Sequence, residues 1–233
     1  MMGDHGRGLL EFWGIRLVLV ALVLGLVWKF LYFPVWSVSG SDMRILLAFI
    51  AVEPLEFVVA RVGPAAWIIG GVGAYLIESA RAKLTDALRR SWNRERIAIG
   101  FAAGAGATFL AGPGVIVDLP FTLWFLIHAA TGITVLIALG LYLLWTAERV
   151  AGVSLRKLGS VAFAFALVAA TLDLLSLGAL FGAFEVSWSD QPPLTIADFL
   201  LGAGSLTVWI LIYTLTIRRS RIATPAVPSG AGA

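Results

Sequence analysis

Four ionisable residues stand where the surrounding sequence is hydrocarbon-like, and each has a chemistry it could perform. Asp173 sits near the middle of the apolar run Val161–Phe184, with Ser176 three residues on and so on the same helical face. A carboxyl at that depth can relay a proton or a cation; equally, a protonated or hydrogen-bonded carboxyl can lock two helices together. Glu53 and Glu56 are also three apart, with Pro54 between them to open the backbone. At mid-depth two close carboxyls push one pKa upward and can hold a cation or pass a proton, whereas at an interface they are solvated. His128 is the only histidine within an apolar run and is followed on its own face by Thr131 and Gly132. It suits a proton path, a quinone contact or an interhelical hydrogen bond. The other histidine, His5, lies in the polar N-terminal stretch, so the chain alone is a poor haem site with two imidazole ligands.

Other chemistries lack their residues. The chain has no cysteine, which removes disulfides, thiolate metal sites and thiol nucleophiles together. The sequence contains no phosphate-binding GxxxxGK[ST] loop, no HExxH, no GxSxG elbow and no cluster of zinc ligands. No cofactor and no metal are therefore expected, and an enzyme is the less favoured class.

The elements that must position these residues follow from composition. Of 233 residues, 60% are hydrophobic and 13% charged, with a mean hydropathy of +0.93. A water-soluble domain carries about 25% charged residues to cover its outside. In hydrocarbon every backbone polar group must be satisfied internally, and long unbroken apolar runs fit helices, not barrel strands. The expected fold is all-α, a polytopic transmembrane helix bundle of six or alternatively seven spans in one domain, 1–222. The small residues and prolines of 223–233 read as a disordered C-terminal tail.

Clear spans lie at Ile15–Trp36, Ile97–Gly112, Phe121–Trp145, Val161–Phe184 and Ile196–Ile217. Trp28, Tyr32, Trp36, Trp124, Tyr142, Trp145 and Trp209 lie mostly towards span ends, as an interfacial aromatic belt would have them. Between the first two spans, Ile45–Val62 is either a span kinked at Pro54 or an interfacial segment. In the second case only Pro64–Ala82 crosses, with Pro64 in its first turn.

Orientation is read from basic residues. Arg81, Lys83, Arg89, Arg90, Arg94 and Arg96 form one cluster, Arg149, Arg156 and Lys157 a second, and Arg218, Arg219 and Arg221 a third. Gly112–Pro120 and Glu185–Thr195 carry acidic residues and no Lys or Arg. The positive-inside rule puts the three basic clusters, and the C-terminus, in the cytoplasm of a multi-pass cell-membrane protein. Six spans then keep the N-terminus with Arg7 and Arg16 on that side as well, whereas seven would put it outside. Bilayer orientation accounts for the net charge of +3, so membrane lipid is the expected partner and nucleic acid is not. Lys29 and Arg16 stand close enough to span ends to snorkel, and Glu78 and Arg81 are spaced to pair at the inner boundary. Gly100 and Gly104, with Gly178 and Gly182 as a weaker repeat of the spacing, mark small helix-packing faces.

Three stretches together resemble the N-terminal membrane region associated with some prokaryotic molybdopterin-dependent oxidoreductases. They are Val52–Leu84 with its Glu-Pro-Leu-Glu-Phe-Val-Val-Ala-Arg-Val-Gly-Pro run, the Ile-His-Ala-Ala-Thr-Gly stretch 127–132, and Leu155-Arg156-Lys157-Leu158. The resemblance covers about residues 45–165. No soluble domain follows and no residue matches a molybdopterin ligand, so it implies an anchoring or scaffolding role at most. The expectation is a non-catalytic accessory or anchoring subunit of a membrane complex, partnered by a separate membrane or cytoplasmic protein. The alternative is a small proton- or cation-coupled transporter or channel using Glu53, Glu56, His128 and Asp173. A lipid- or isoprenoid-modifying enzyme ranks below both.

Overall fold

A computed structural model describes residues 4–37, 52–81, 97, 99–102, 104–105, 139–180 and 191–222. Among these residues no strand occurs, and helix is interrupted only at the corner 152–155. The helices are α1 (Asp4–Ser37), α2 (Val52–Arg81), α3 (139–151), α4 (Arg156–Leu180) and α5 (Gln191–Ile222). Helical residues at 99–102 and 104–105 lie between α2 and α3 in the chain.

Within the described residues two helices are long and apolar enough to cross a membrane, α1 through Gly8–Leu31 and α5 through Ile196–Ser220. At about 1.5 Å per residue each exceeds a hydrocarbon core of roughly 30 Å. Pro192 and Pro193 stand in the first turn of α5, where a missing N–H breaks no intrahelical bond. The two alternatives for the region 45–82 meet in one element, because Val52–Arg81 is a single 30-residue helix. Pro54, not Pro64, occupies its first turn, and Pro64 lies inside the helix, where it removes the hydrogen bond to the Ala60 carbonyl. Tertiary contacts offset that loss: the Trp28 indole covers Gly63, Phe101 and Ala21 cover Gly70, and the α1 backbone lies on Gly73.

Close contacts set the directions of the helices. A Cβ on Gly14 would lie 2.7 Å from the Gly73 carbonyl oxygen, and one on Gly63 would lie 2.8 Å from Trp28, so α1 and α2 run antiparallel. Phe163 covers Gly140 and Leu144 covers Gly159, which makes α3 and α4 a hairpin. The Ser205 hydroxyl donates to the Ala162 carbonyl over 2.8 Å, and Gly204 faces Phe165, so α5 runs back along α4. Leu206 over Gly25, and Phe30 edge-on to Phe199, set α5 antiparallel to α1.

These pairings gather the start of α1, the end of α2, the α3–α4 corner and the end of α5 at one end of the bundle. Arg149 reaches Glu11 there at 2.6 Å, and Arg156, Lys157, Arg218 and Arg219 are exposed. The main core also lies towards this end, built from Ile15, Val18, Ile77, Ala147, Leu155, Ala162, Trp209, Ile212 and Tyr213. A smaller cluster joins Ala74, Phe101 and Leu139. Polar ties run between the helices. Tyr213 donates to the Leu143 carbonyl at 3.2 Å, and Tyr142 donates to the buried Glu78 carboxylate at 3.1 Å. Outward, the helices expose large apolar side chains, among them Val20, Val27, Ile68, Val72, Leu141, Val168, Leu200 and Leu211.

Candidate functional site

At the end of the bundle away from the basic residues, α1 and α5 bring Lys29 and Asp198 together, with Nζ 2.7 Å from Oδ2. Lys29 is two residues from the C-terminal limit of the apolar stretch of α1, and Asp198 is equally close to the start of that of α5. Because the helices are antiparallel, the two residues reach the same depth. Gly202, one turn after Asp198, leaves room for the contact: a Cβ there would lie 2.8 Å from Lys29 Cε, so a larger residue would make the end of the lysine shift. The side chains are 19% and 15% exposed. Both charges are thus largely withdrawn from solvent, and their pairing offsets part of the desolvation of each.

The pair stands at one end of a partly open cavity of about 360 Å³. Its wall is mostly small and aromatic: Gly25, Gly63, Gly70, Gly140 and Gly202 alternate with Trp28, Trp67, Phe101, Phe163 and Trp209. Ala21, Ala66, Ala166, Ala169 and Ala170 fill in between. Ser205 is the further hydroxyl in the lining, and it is already bonded to Ala162. Indoles and phenyl rings, edge-on at Trp67–Phe101 and Phe163–Trp209, hold the wall apart where glycines on the facing helices leave space. The arrangement is that of an apolar ligand site with one charged terminus, and its volume lies in the usual range of such sites, roughly 300–1,000 Å³.

The residues singled out in the sequence are distributed differently. Glu53 and Glu56 lie on the first two turns of α2, three apart on one helix, and Asp173 lies on α4 one turn beyond the cavity-lining Ala169 and Ala170. The side chains of these three are outside the described residues, as are His128, Gly182 and the tail 223–233 altogether. Gly178 is on the α4 backbone. Gly100 faces Leu139 at an ordinary 3.4 Å, whereas a Cβ on Gly104 would fall 2.6 Å from the Trp67 ring.

Lys29 pairs across the bundle, where the sequence suggests a snorkelling side chain. Arg16 instead lies with its guanidinium 3.9 Å from the centre of the Phe12 ring. The aromatic belt is also divided. Trp145 is exposed, but Trp28 lines the cavity and Trp209 is 6% exposed. An indole is large enough to fill the space left by glycines and alanines, and its burial there is favourable.

Asp198 is the residue that sequence reasoning missed. Its signal was available: one acid in an otherwise uncharged run, at the depth of a lone lysine in another run. The chain matches no protein-family profile, no curated protein and no solved structure.

Proposed function

We propose that this chain is an integral membrane protein crossing the bilayer six times, with both termini and the basic clusters in the cytoplasm. On this reading it serves as a non-catalytic accessory or anchoring subunit for a separate protein. Membrane residence is supported by the two long apolar helices and by the many large apolar side chains facing outward, more than soluble monomers expose. An even number of crossings is supported by the antiparallel pairing of α1 with α5, which leaves the start of one beside the end of the other.

The observation that carries the anchoring role is the basic end itself. Arg156, Lys157, Arg218 and Arg219 are exposed beside the main core of the described residues. A rigid base presenting cations is suited to hold an acidic surface of a cytoplasmic partner. Purification of the tagged full chain from its native membranes in mild detergent is expected to return one stoichiometric partner. Replacing the four cations by alanine is expected to release it while the chain still extracts with the membrane. A chain that comes off pure, with no partner in stoichiometric amount, overturns the anchoring role.

The cavity favours a second reading, a small proton- or cation-coupled transporter or channel. Its support is a charged pair within the bundle and the position of Asp173 one turn beyond the lining of α4. Cation- or proton-driven flux into proteoliposomes, abolished by Asp173→Asn, would replace the anchoring reading with this one.

A further inference from the structure

We infer that the cavity is a binding site for one acyl chain of a zwitterionic phospholipid of the non-cytoplasmic leaflet, with the headgroup held by Lys29 and Asp198. The proposal rests on the membrane reading above and goes beyond it by naming a ligand and its contacts.

The first support is length. The lining runs along α1 from Val18 to Lys29 and along α5 from Asp198 to Trp209. At about 1.5 Å per residue each stretch is roughly 16 Å long. That equals the hydrocarbon depth of one leaflet, about half of a 30 Å core. On the membrane reading the slot runs from Val18 and Trp209 of the main core, near the midplane, to Lys29 and Asp198 at headgroup level. A short or globular ligand would not need such a channel, whereas a single hydrocarbon chain has this extent.

Charge at the mouth is the second support. An ammonium has three donor hydrogens, and the Asp198 bond takes one of those of Lys29. A phosphodiester can accept from the lysine while the lipid ammonium donates to the aspartate, so every charge keeps a partner. An anionic headgroup without an amine would satisfy Lys29 but set its negative charge beside Asp198. A site that presents a cation and an anion side by side thus favours a headgroup that carries both signs. The wall below it offers a hydrocarbon chain aromatic, aliphatic, glycine and alanine surface, with the Ser205 hydroxyl already engaged.

The test uses the full chain extracted in detergent, which first establishes that it needs an amphiphile; a chain soluble and monodisperse in plain buffer would sink the membrane reading itself. Native mass spectrometry then measures binding of phosphatidylethanolamine and phosphatidylglycerol of matched chains. One phosphatidylethanolamine is expected to be retained, at least tenfold more tightly than phosphatidylglycerol. Two variants ask where it sits. Lys29→Leu with Asp198→Leu removes both members of the ion pair together, so neither is left as the uncompensated half of it, a change folds commonly tolerate. It is expected to erase the headgroup preference while the melting temperature is retained. Gly25→Phe fills the slot from a position whose nearest neighbour, Leu206, leaves a Cβ 3.7 Å of room, and it is expected to reduce retention of both lipids at least tenfold. Equal binding of the two lipids by the native chain, or an unchanged preference in the leucine pair, overturns the assignment of the headgroup. Unaltered retention in Gly25→Phe overturns the cavity as the site.

Discussion

Gly14 and Gly73 bring the backbones of α1 and α2 into contact, and neither tolerates a side chain. A Cβ on Gly73 would lie 2.7 Å from the Gly14 carbonyl oxygen and 2.9 Å from the Val18 nitrogen, both backbone atoms that cannot turn aside. Gly73→Ala is therefore expected to cost about 1–3 kcal/mol through forced separation of the helices. It should appear as a lower melting temperature in detergent. Gly8→Ala, with nothing within 4 Å, is the control and should be neutral or slightly stabilising. Equal melting of the two variants would show that α1 and α2 are not in backbone contact. Small residues three or four apart on one helix, such as Gly100 and Gly104, are visible in a sequence. A contact built from one glycine on each of two helices is not, because nothing local links residue 14 to residue 73.

Among the elements, the α3–α4 hairpin shows how local chemistry sets a corner. Gly152 takes φ 65°, a left-handed conformation that suits glycine, and its N–H closes α3 on the Glu148 carbonyl at 2.9 Å. The Glu148 carboxylate then accepts from the Leu155 N–H at 2.7 Å and from the Ser154 hydroxyl at 3.1 Å. It thereby caps α4 from the preceding helix, where Leu155 has no side-chain oxygen to do so. Glu148→Ala is expected to cost about 1 kcal/mol, the usual worth of a cap. Amide exchange at Leu155 and Arg156 should quicken while that in the middle of α5 is unchanged, and exchange left unaltered at both sites would refute the capping role. The existence of this turn was legible from the basic cluster Arg149, Arg156 and Lys157 between two apolar runs. The continuity of α2 was not. A helix with an internal proline survives when neighbours bury its faces, and those neighbours lie elsewhere in the chain.

At the scale of the molecule the antiparallel pairings make a prediction about sides. The chain has no cysteine, so single cysteines report cleanly. Ser154→Cys, at the basic end, and Ser187→Cys, between α4 and α5, are expected to react with a membrane-impermeant thiol reagent from opposite faces of the bilayer. Ser154→Cys should be labelled only after the cytoplasmic face is opened. Labelling of both from the same side would overturn the six-crossing arrangement.

The amino-acid sequence by itself determined the all-helical class, the reach of α1 and α5 and the segregation of basic residues. These depend on composition and on runs of about 20 residues, which no distant contact alters. Only the tertiary structure decided that Lys29 and Asp198 form one pair, that Trp28 and Trp209 turn inward, and that glycines on facing helices leave a slot between them. Each of those joins helices far apart in the chain, and which faces meet is set by packing, not by any periodicity within a single helix.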